Sequence, residues 1–100
     1  MIPVAESKIK RRGINYITHG VQVLSDGTNN SKVVNIPYYS GYIPCSIISM
    51  MATGGFEGVT TIYEYRLYDI TTTAPKLSVK WTSAISANKG VIFTILYIQV

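Results

Sequence analysis

Alternation of apolar and polar residues, with a period of two, is the main structural signal along this chain. It is clearest in residues 77–81, where Leu77, Val79 and Trp81 would share one face of a strand. Such alternation is typical of a half-buried β-strand, because successive side chains of a strand point to opposite faces. Similar segments and short apolar runs, separated by turn-forming residues, predict six strands. The predicted strands cover residues 14–24, 32–36, 45–52, 59–70, 77–81 and 91–100.

The connections between these segments are short and contain Gly, Asn and Ser, as in residues 25–31 and 86–90. Such residues favour turns between strands, and helical periodicity is weak everywhere. No internal repeat or linker divides the chain. We therefore predict an all-β fold, a small antiparallel β-sandwich of about six strands that occupies residues 13–100.

The last predicted strand is apolar on both faces. One face carries Val91, Phe93, Ile95 and Tyr97, and the other carries Ile92, Leu96, Ile98 and Val100. An antiparallel strand in a monomeric sandwich needs only one apolar face. The composition agrees, since 47% of residues are hydrophobic and 14% are charged. We expect the second face to lie against a neighbouring subunit of an oligomer or against the N-terminal segment.

Positive charge is concentrated at the N-terminus. Residues 1–12 hold four of the nine Lys and Arg residues and one of the five acidic residues, so they carry +3 of the net +4. The four basic residues are Lys8, Lys10, Arg11 and Arg12. We interpret residues 1–12 as an anchoring arm that contacts an acidic protein groove or stays solvated. Nucleic acid is an unlikely partner, because the rest of the chain has no comparable basic surface.

Neither a secretory signal nor a membrane-spanning segment is expected. The first residues lack a long apolar run, and no stretch of about 18 apolar residues occurs anywhere. Cys45 is the only cysteine and cannot form an internal disulfide, which favours synthesis in a reducing cytoplasm. We expect Cys45 to be a buried, inert thiol, since it lies in an apolar segment suited to a strand covered on both faces.

The chain offers little catalytic or metal chemistry. His19 is the only histidine and Cys45 the only cysteine, whereas a zinc site needs three or four such ligands. No nucleophile motif accompanies His19, and no glycine-rich phosphate loop precedes a helix. We predict that the protein is not an enzyme and uses no cofactor or metal.

Aromatic residues provide the best candidate ligand surface. Tyr38, Tyr39 and Tyr42 lie between the prolines at positions 37 and 44. Tyrosine is amphipathic, so these side chains could form a platform for a sugar or receptor, or could pack at the proline corner. Both interpretations stay open at the level of sequence.

Three segments, residues 32–52, 61–81 and 91–100, together resemble the H-type lectin domain. They share with that family an aromatic–proline corner before a buried strand, a long strand that ends near 66–68 (RLY), and Trp81. Residues 97–98 (YI) stand where the family's last strand has an aromatic–Ile step. The resemblance covers roughly residues 20 to 100.

This resemblance implies a six-stranded sandwich that forms a trimer, with sugar sites at the subunit boundaries. Trp81 matches the family's tryptophan beside the sugar, and Asp26 would accept hydrogen bonds from sugar hydroxyls. Thr82 stands where the family usually has histidine, and the family's arginine position falls near Ile62.

Similar domains occur on phage tail fibres and other virion appendages. We therefore expect a non-enzymatic virion structural or attachment protein, made in the cytoplasm, with other virion proteins as partners. A carbohydrate-binding lectin of the H type, with a cell-surface glycan as its ligand, is the alternative.

Overall fold

The computed structural model describes residues 15–53, 62–82 and 89–100 of the 100-residue chain. Within these ranges the chain is all-β, with six strands and no helix. The strands are β1 (Tyr16–Leu24), β2 (Ser31–Asn35), β3 (Tyr42–Thr53), β4 (Ile62–Tyr68), β5 (Lys76–Trp81) and β6 (Gly90–Gln99). Each overlaps one predicted segment, so the six-strand prediction is confirmed. The predicted arm, residues 1–12, lies outside the described residues, as do residues 59–61 of the fourth predicted strand.

The strands form two antiparallel sheets of three strands each. The first sheet has the order β1-β6-β3, and the second has the order β2-β5-β4. Each sheet therefore has one central strand, β6 or β5, that is paired on both sides. The predicted class, a small antiparallel all-β sandwich, is confirmed.

The hydrophobic core lies between the two sheets, and the central strands supply most of it. The side chains that are at most 1% exposed include Val91, Phe93, Ile95 and Tyr97 of β6 and Leu77, Val79 and Trp81 of β5. The buried row of β5 is the face that the alternation predicted, and the buried row of β6 is one of its two predicted apolar faces. The Tyr65 ring of β4 lies 5.7 Å from the ring of Phe93, so it links the second sheet to the first. The core thus fixes which face of each sheet remains outward.

Bulges interrupt β3 and β4, which are edge strands of the first and second sheet. The pairing of β3 with β6 shifts between Pro44 and Ser46 and again between Ile47 and Ser49, and the pairing of β4 with β5 shifts between residues 62 and 64. The extra residues are Cys45, Ile48 and Tyr63, and all three are exposed. An extra residue in a bulge leaves the ladder and breaks the alternation of faces. The prediction of a buried Cys45 in a strand covered on both sides is therefore wrong.

Candidate functional site

The outer face of the first sheet carries no charged side chain. Side chains alternate across a sheet, so every second residue of β6 points outward. These β6 residues, together with the residues of β1 and β3 that pair with them, form the outer face. We call it the uncharged face; it consists of Tyr16, Thr18, Gly20, Gln22 and Leu24 of β1, Gly90, Ile92, Thr94, Leu96 and Ile98 of β6, and Ile43, Ser46, Ser49, Met51 and Thr53 of β3. Indeed, β1, β3 and β6 contain no Asp, Glu, Lys or Arg at any position.

The outer face of the second sheet is charged and has the character of a solvated surface. Lys80 Nζ lies 3.7 Å from Glu64 Oε2, and Arg66 Nε lies 3.9 Å from the same oxygen. The Arg66 guanidinium also lies 4.5 Å from the centre of the Tyr68 ring. The hydrogen bond between the Arg66 and Tyr68 side chains raises the pKa of Arg66 and lowers the pKa of Tyr68. Charged and ion-paired side chains are typical of the solvent-facing side of an antiparallel sheet.

Apolar side chains on the uncharged face are open to solvent. Tyr16 of β1 is 65% exposed and Met51 of β3 is 60% exposed, and the bulge residue Ile48 of β3 is 51% exposed. With about 4.8 Å between strands and 3.3 Å per residue, the face measures roughly 14 Å by 28 Å, or about 400 Å². Seven of its fifteen residues are apolar and none is charged, and exposed apolar residues grouped in this way commonly mark interaction sites. The uncharged face is therefore the main candidate for a functional surface.

One end of the uncharged face is closed by a contact that spans all three strands. Gln22 Nε2 of β1 donates a hydrogen bond to Thr53 Oγ1 of β3 at 3.2 Å, above Gly90 of β6. A Cβ atom at Gly90 would lie 2.5 Å from Thr53 Oγ1 and 2.8 Å from Gln22 Nε2. Glycine is thus needed at position 90 for the side chains of the outer strands to meet.

A second candidate is a cavity of about 180 Å³ at the end of the sandwich where β3 begins and β6 ends. Its lining consists of Tyr38, Gly41, Tyr42, Ile43, Ile70, Thr71, Thr72 and Val100. Tyr38 is 48% exposed, whereas Tyr42 is half-buried and packs against the core. Gly41 has a φ of +82°, which glycine adopts without strain, and the Tyr42 N–H donates to the Tyr39 carbonyl at 3.0 Å. The turn thereby places two of the three predicted tyrosines in one cavity.

Tyr39, the third predicted tyrosine, is used in packing. Its hydroxyl lies 2.8 Å from His19 Nδ1, and its ring meets the Tyr97 ring edge-on at 4.9 Å. The Tyr97 hydroxyl donates to the Pro37 carbonyl at 2.6 Å. Burial, with a smaller effect of Tyr39, raises the pKa of Tyr97 to about 12. This network ties the proline corner to β1 and β6, so Tyr39 has the structural role that was the alternative to a ligand platform.

Asp26 shapes its own loop. Its Oδ1 accepts hydrogen bonds from the backbone N–H groups of Thr28 at 2.9 Å and Asn29 at 2.8 Å, and its Oδ2 accepts one from the Asn29 side chain at 2.8 Å. These bonds, with the Asn29 backbone as the largest cause, lower the pKa of Asp26 to about 2. Both carboxylate oxygens are therefore engaged in holding the turn.

The structure separates Asp26 and Trp81 from the tyrosines. Leu24, just before Asp26, pairs with the first residue of β6, whereas Tyr42 pairs with Gln99 at the other end of that strand. Trp81 is 1% exposed and lies in the core, so it offers no ring face to a sugar. The predicted ligand set is thus divided between two ends of the sandwich and the interior. The basic residues of the predicted arm, Lys8, Lys10, Arg11 and Arg12, lie outside the described residues.

A cleft of about 320 Å³ lies on the open side of the sandwich between β3 and β4. Arg66, its one charged residue, contacts Glu64 and Tyr68 on the outer face. The cleft therefore lacks the convergent polar groups of a small-molecule site.

Among residues 15–53, 62–82 and 89–100, no three His, Cys, Asp or Glu side chains are grouped to hold a metal ion. The same ranges contain no helix that is long and apolar enough to cross a membrane.

Sequence reasoning recognised the apolar outer row of β6 but missed the rest of the uncharged face. The missing signal was available, because three separate predicted strands contain no charged residue. The sequence analysis also did not single out Thr71 and Thr72. From the loop before β5, both residues line the 180 Å³ cavity that contains Tyr38 and Tyr42, which we call the tyrosine cavity.

Comparisons of this chain with family models, with curated proteins and with solved structures find no match.

Proposed function

We propose that this chain is a non-enzymatic structural or attachment subunit of a virion appendage, and that it assembles with further copies of itself through the uncharged face. The observation that carries the proposal is the contrast between the two outer faces. The outer face of the second sheet carries the ion-paired residues Glu64, Arg66 and Lys80, whereas the first sheet exposes Tyr16, Met51 and Ile48 with no charge among them. A surface that stays in water gains from charged residues, and an assembly surface is depleted of them.

The virion setting and the number of copies rest on the resemblance to the H-type lectin domain. That family forms trimers, so we propose a trimer. In this proposal Lys8, Lys10, Arg11 and Arg12 anchor the subunit in an acidic groove of a neighbouring virion protein.

A matched pair of lysine substitutions tests the assembly surface. Met51→Lys places a charge on the uncharged face, and Val33→Lys places one on the second sheet, at a residue that is also on an edge strand and 56% exposed. Burial of an unpaired charge costs well over 1 kcal/mol, and about 1.4 kcal/mol corresponds to a factor of ten. We expect Met51→Lys to weaken self-association at least tenfold, measured by sedimentation over a dilution series.

The Val33→Lys variant should associate as the unmodified protein does. Both variants should melt within a few degrees of the original chain, since each lysine can reach solvent in the monomer. Equal association of the two variants, or a chain that stays monomeric at high micromolar concentration, would contradict the proposal.

The tyrosine cavity favours a second function, carbohydrate binding. Tyr38 presents a half-exposed ring, and Thr71 lines the same cavity with its hydroxyl and backbone groups. The N–H and hydroxyl of Thr72, which also lines the cavity, both donate to the Asp69 carbonyl. A ring face with a few hydrogen-bonding groups suits a sugar, and a volume of about 180 Å³ restricts the site to a small unit. Ile43 belongs both to this cavity and to the uncharged face, so a ligand here would lie near the proposed subunit contact.

A glycan array probed with the unmodified chain, Tyr38→Ala and Tyr63→Ala tests this function. Tyr63 is 62% exposed and does not line the cavity, so its loss controls for a general loss of surface aromatics. We expect a glycan signal that Tyr38→Ala abolishes and Tyr63→Ala preserves. Absence of any signal, or equal loss in both variants, would leave only the structural function.

A further inference from the structure

The four edge strands of this sandwich differ in how they are protected against pairing with another strand. β3 contains Pro44 and two bulges, and β4 contains a bulge and the charged residues Glu64 and Arg66. β2 is five residues long and includes Lys32. Prolines, bulges, charges and short lengths are the devices by which proteins block edge-to-edge association. β1 has none of them: it pairs with β6 over nine residues without a register shift and carries no proline or charged residue.

Flanking hydrogen bonds show which backbone groups of β1 face the open edge. The Gln99 N–H donates to the Asn15 carbonyl at 3.1 Å, and the Ser25 N–H donates to the Lys89 carbonyl at 2.8 Å. In an antiparallel pair, alternate residues bond to the partner strand and the others point away. Odd-numbered residues of β1 therefore bond to β6. Lys32 Nζ confirms the direction, because it reaches the outward carbonyl of Leu24 at 2.9 Å.

Tyr16, Thr18, Gly20 and Gln22 thus direct their N–H and C=O groups away from β6. No strand among the residues that the structure describes pairs with this side of β1. Backbone groups in this arrangement form a template for one more antiparallel strand.

We infer that β1 pairs antiparallel with β1 of a second copy of this chain, around a two-fold axis. The register that uses all four outward residues on both copies places Tyr16 opposite Gln22 of the second copy and Thr18 opposite Gly20. Each of these pairs occupies a hydrogen-bonded position, and the axis passes between the two His19 residues. The first sheets of the two copies then form one continuous sheet of six strands.

A second copy fits this edge better than an unrelated strand for two reasons. β1 has no charge, so self-pairing sets no like charges against each other, and Gly20 leaves space opposite Thr18. In addition, the uncharged face covers about 400 Å², roughly half of the 800 Å² that each partner contributes to a standard interface. Pairing at the edge of the same sheet extends that surface. The inference rests on the proposed function, because it adds a second contact to the same assembly.

Amide hydrogen exchange in the unmodified chain tests the inference, and the protein supplies its own control. At the two ends of β2, the Ile36 N–H donates to the Pro75 carbonyl at 3.0 Å, and the Trp81 N–H donates to the Asn30 carbonyl at 2.9 Å. Even-numbered residues of β2 therefore bond to β5, and the amides of Val33 and Asn35 point away. They occupy the same kind of position on β2 as those of Thr18 and Gly20 on β1.

We expect the amides of Thr18, Gly20 and Gln22 to exchange at least tenfold more slowly than those of Val33 and Asn35 at high protein concentration, and to lose this protection on dilution. Exchange as fast as that of Val33 at every concentration would overturn the inference. Protection that does not change on dilution would also overturn it, because it would show that the same chain covers the edge.

Proline variants and the mass of the assembly separate this inference from the proposed function. Thr18→Pro removes an N–H that β6 does not use, and Val33→Pro does the same on β2, so both should fold. We expect Thr18→Pro alone to weaken association at least tenfold; if it fails to fold, the exchange result decides.

A two-fold contact made by every copy requires an even number of copies, and a trimer that uses it becomes a hexamer. An odd-numbered assembly sensitive to Met51→Lys would overturn the edge contact and leave the proposed function standing. An even-numbered assembly that Thr18→Pro weakens and Met51→Lys does not would support the edge contact and overturn the uncharged face as an assembly surface.

Discussion

Replacement of Trp81 by alanine should destabilise the domain severely. The indole is 1% exposed and lies at the end of β5 among the buried residues of both sheets. A buried tryptophan removes about 150–250 Å² from water, which at about 25 cal/mol per Å² corresponds to about 4–6 kcal/mol. Truncations of this kind in protein cores cost about 3–5 kcal/mol. A domain of this size has a total stability of about 5–15 kcal/mol, so Trp81→Ala removes a large share of it.

Thermal unfolding followed by circular dichroism measures this loss. At about 4–8 °C per kcal/mol, a loss of about 3–5 kcal/mol lowers the melting temperature by about 12–40 °C. Tyr63→Ala is the control, because this bulge residue is 62% exposed and its loss should change stability by less than about 0.5 kcal/mol. A Trp81→Ala variant that melts with the control would refute the placement of the indole in the core. Loss of glycan binding with unchanged melting would show that Trp81 has the sugar-side role implied by the H-type lectin resemblance.

Two further substitutions test individual contacts. Asp26 has a pKa of about 2 in the folded chain, below its ordinary value of 3.8, so its contribution to stability is present above about pH 4 and is lost as the pH falls through 2. In urea titrations, Asp26→Ala should therefore be less stable than the original chain at pH 5, and this difference should shrink steadily as the pH falls from 4 toward 2. A constant difference across this range would contradict the assignment. Tyr97→Phe removes the hydrogen bond to the Pro37 carbonyl and keeps the ring contact with Tyr39, so we expect the free energy of unfolding to fall by about 1 kcal/mol. An unchanged urea midpoint would show that this bond does not contribute to stability.

The period of two predicted the fold wherever the pairing is regular. In β5 the alternation identified the buried row correctly, because a central strand with an unbroken ladder keeps its faces. In β6 it separated the two rows but could not tell which one is buried, because both are apolar. The outcome for Cys45 was different. Two bulges in β3 each add a residue, and nothing in the segment from 42 to 53 distinguishes a bulge from a continuous buried strand.

The relative positions of the predicted ligand residues depend on topology. Trp81 and the tyrosines could be placed on their own strands, but their relative positions depend on which ends of the strands meet. That information comes from pairings such as Tyr42 with Gln99, which join residues far apart in sequence. The absence of charge from β1, β3 and β6 was visible in the sequence, but it acquires meaning only once these three strands are known to form one sheet.

The strand orders also determine when this domain can fold during synthesis. In both sheets the two outer strands precede the central strand in the chain: β1 and β3 precede β6, and β2 and β4 precede β5. The outer strands therefore leave the ribosome before the strands with which they pair. Closure of the first sheet requires residues 90–99 to pair with residues 16–24, and such long-range pairing is slow. Until then β1 and β3 are apolar, uncharged segments without a partner, a state in which nascent chains aggregate or bind chaperones.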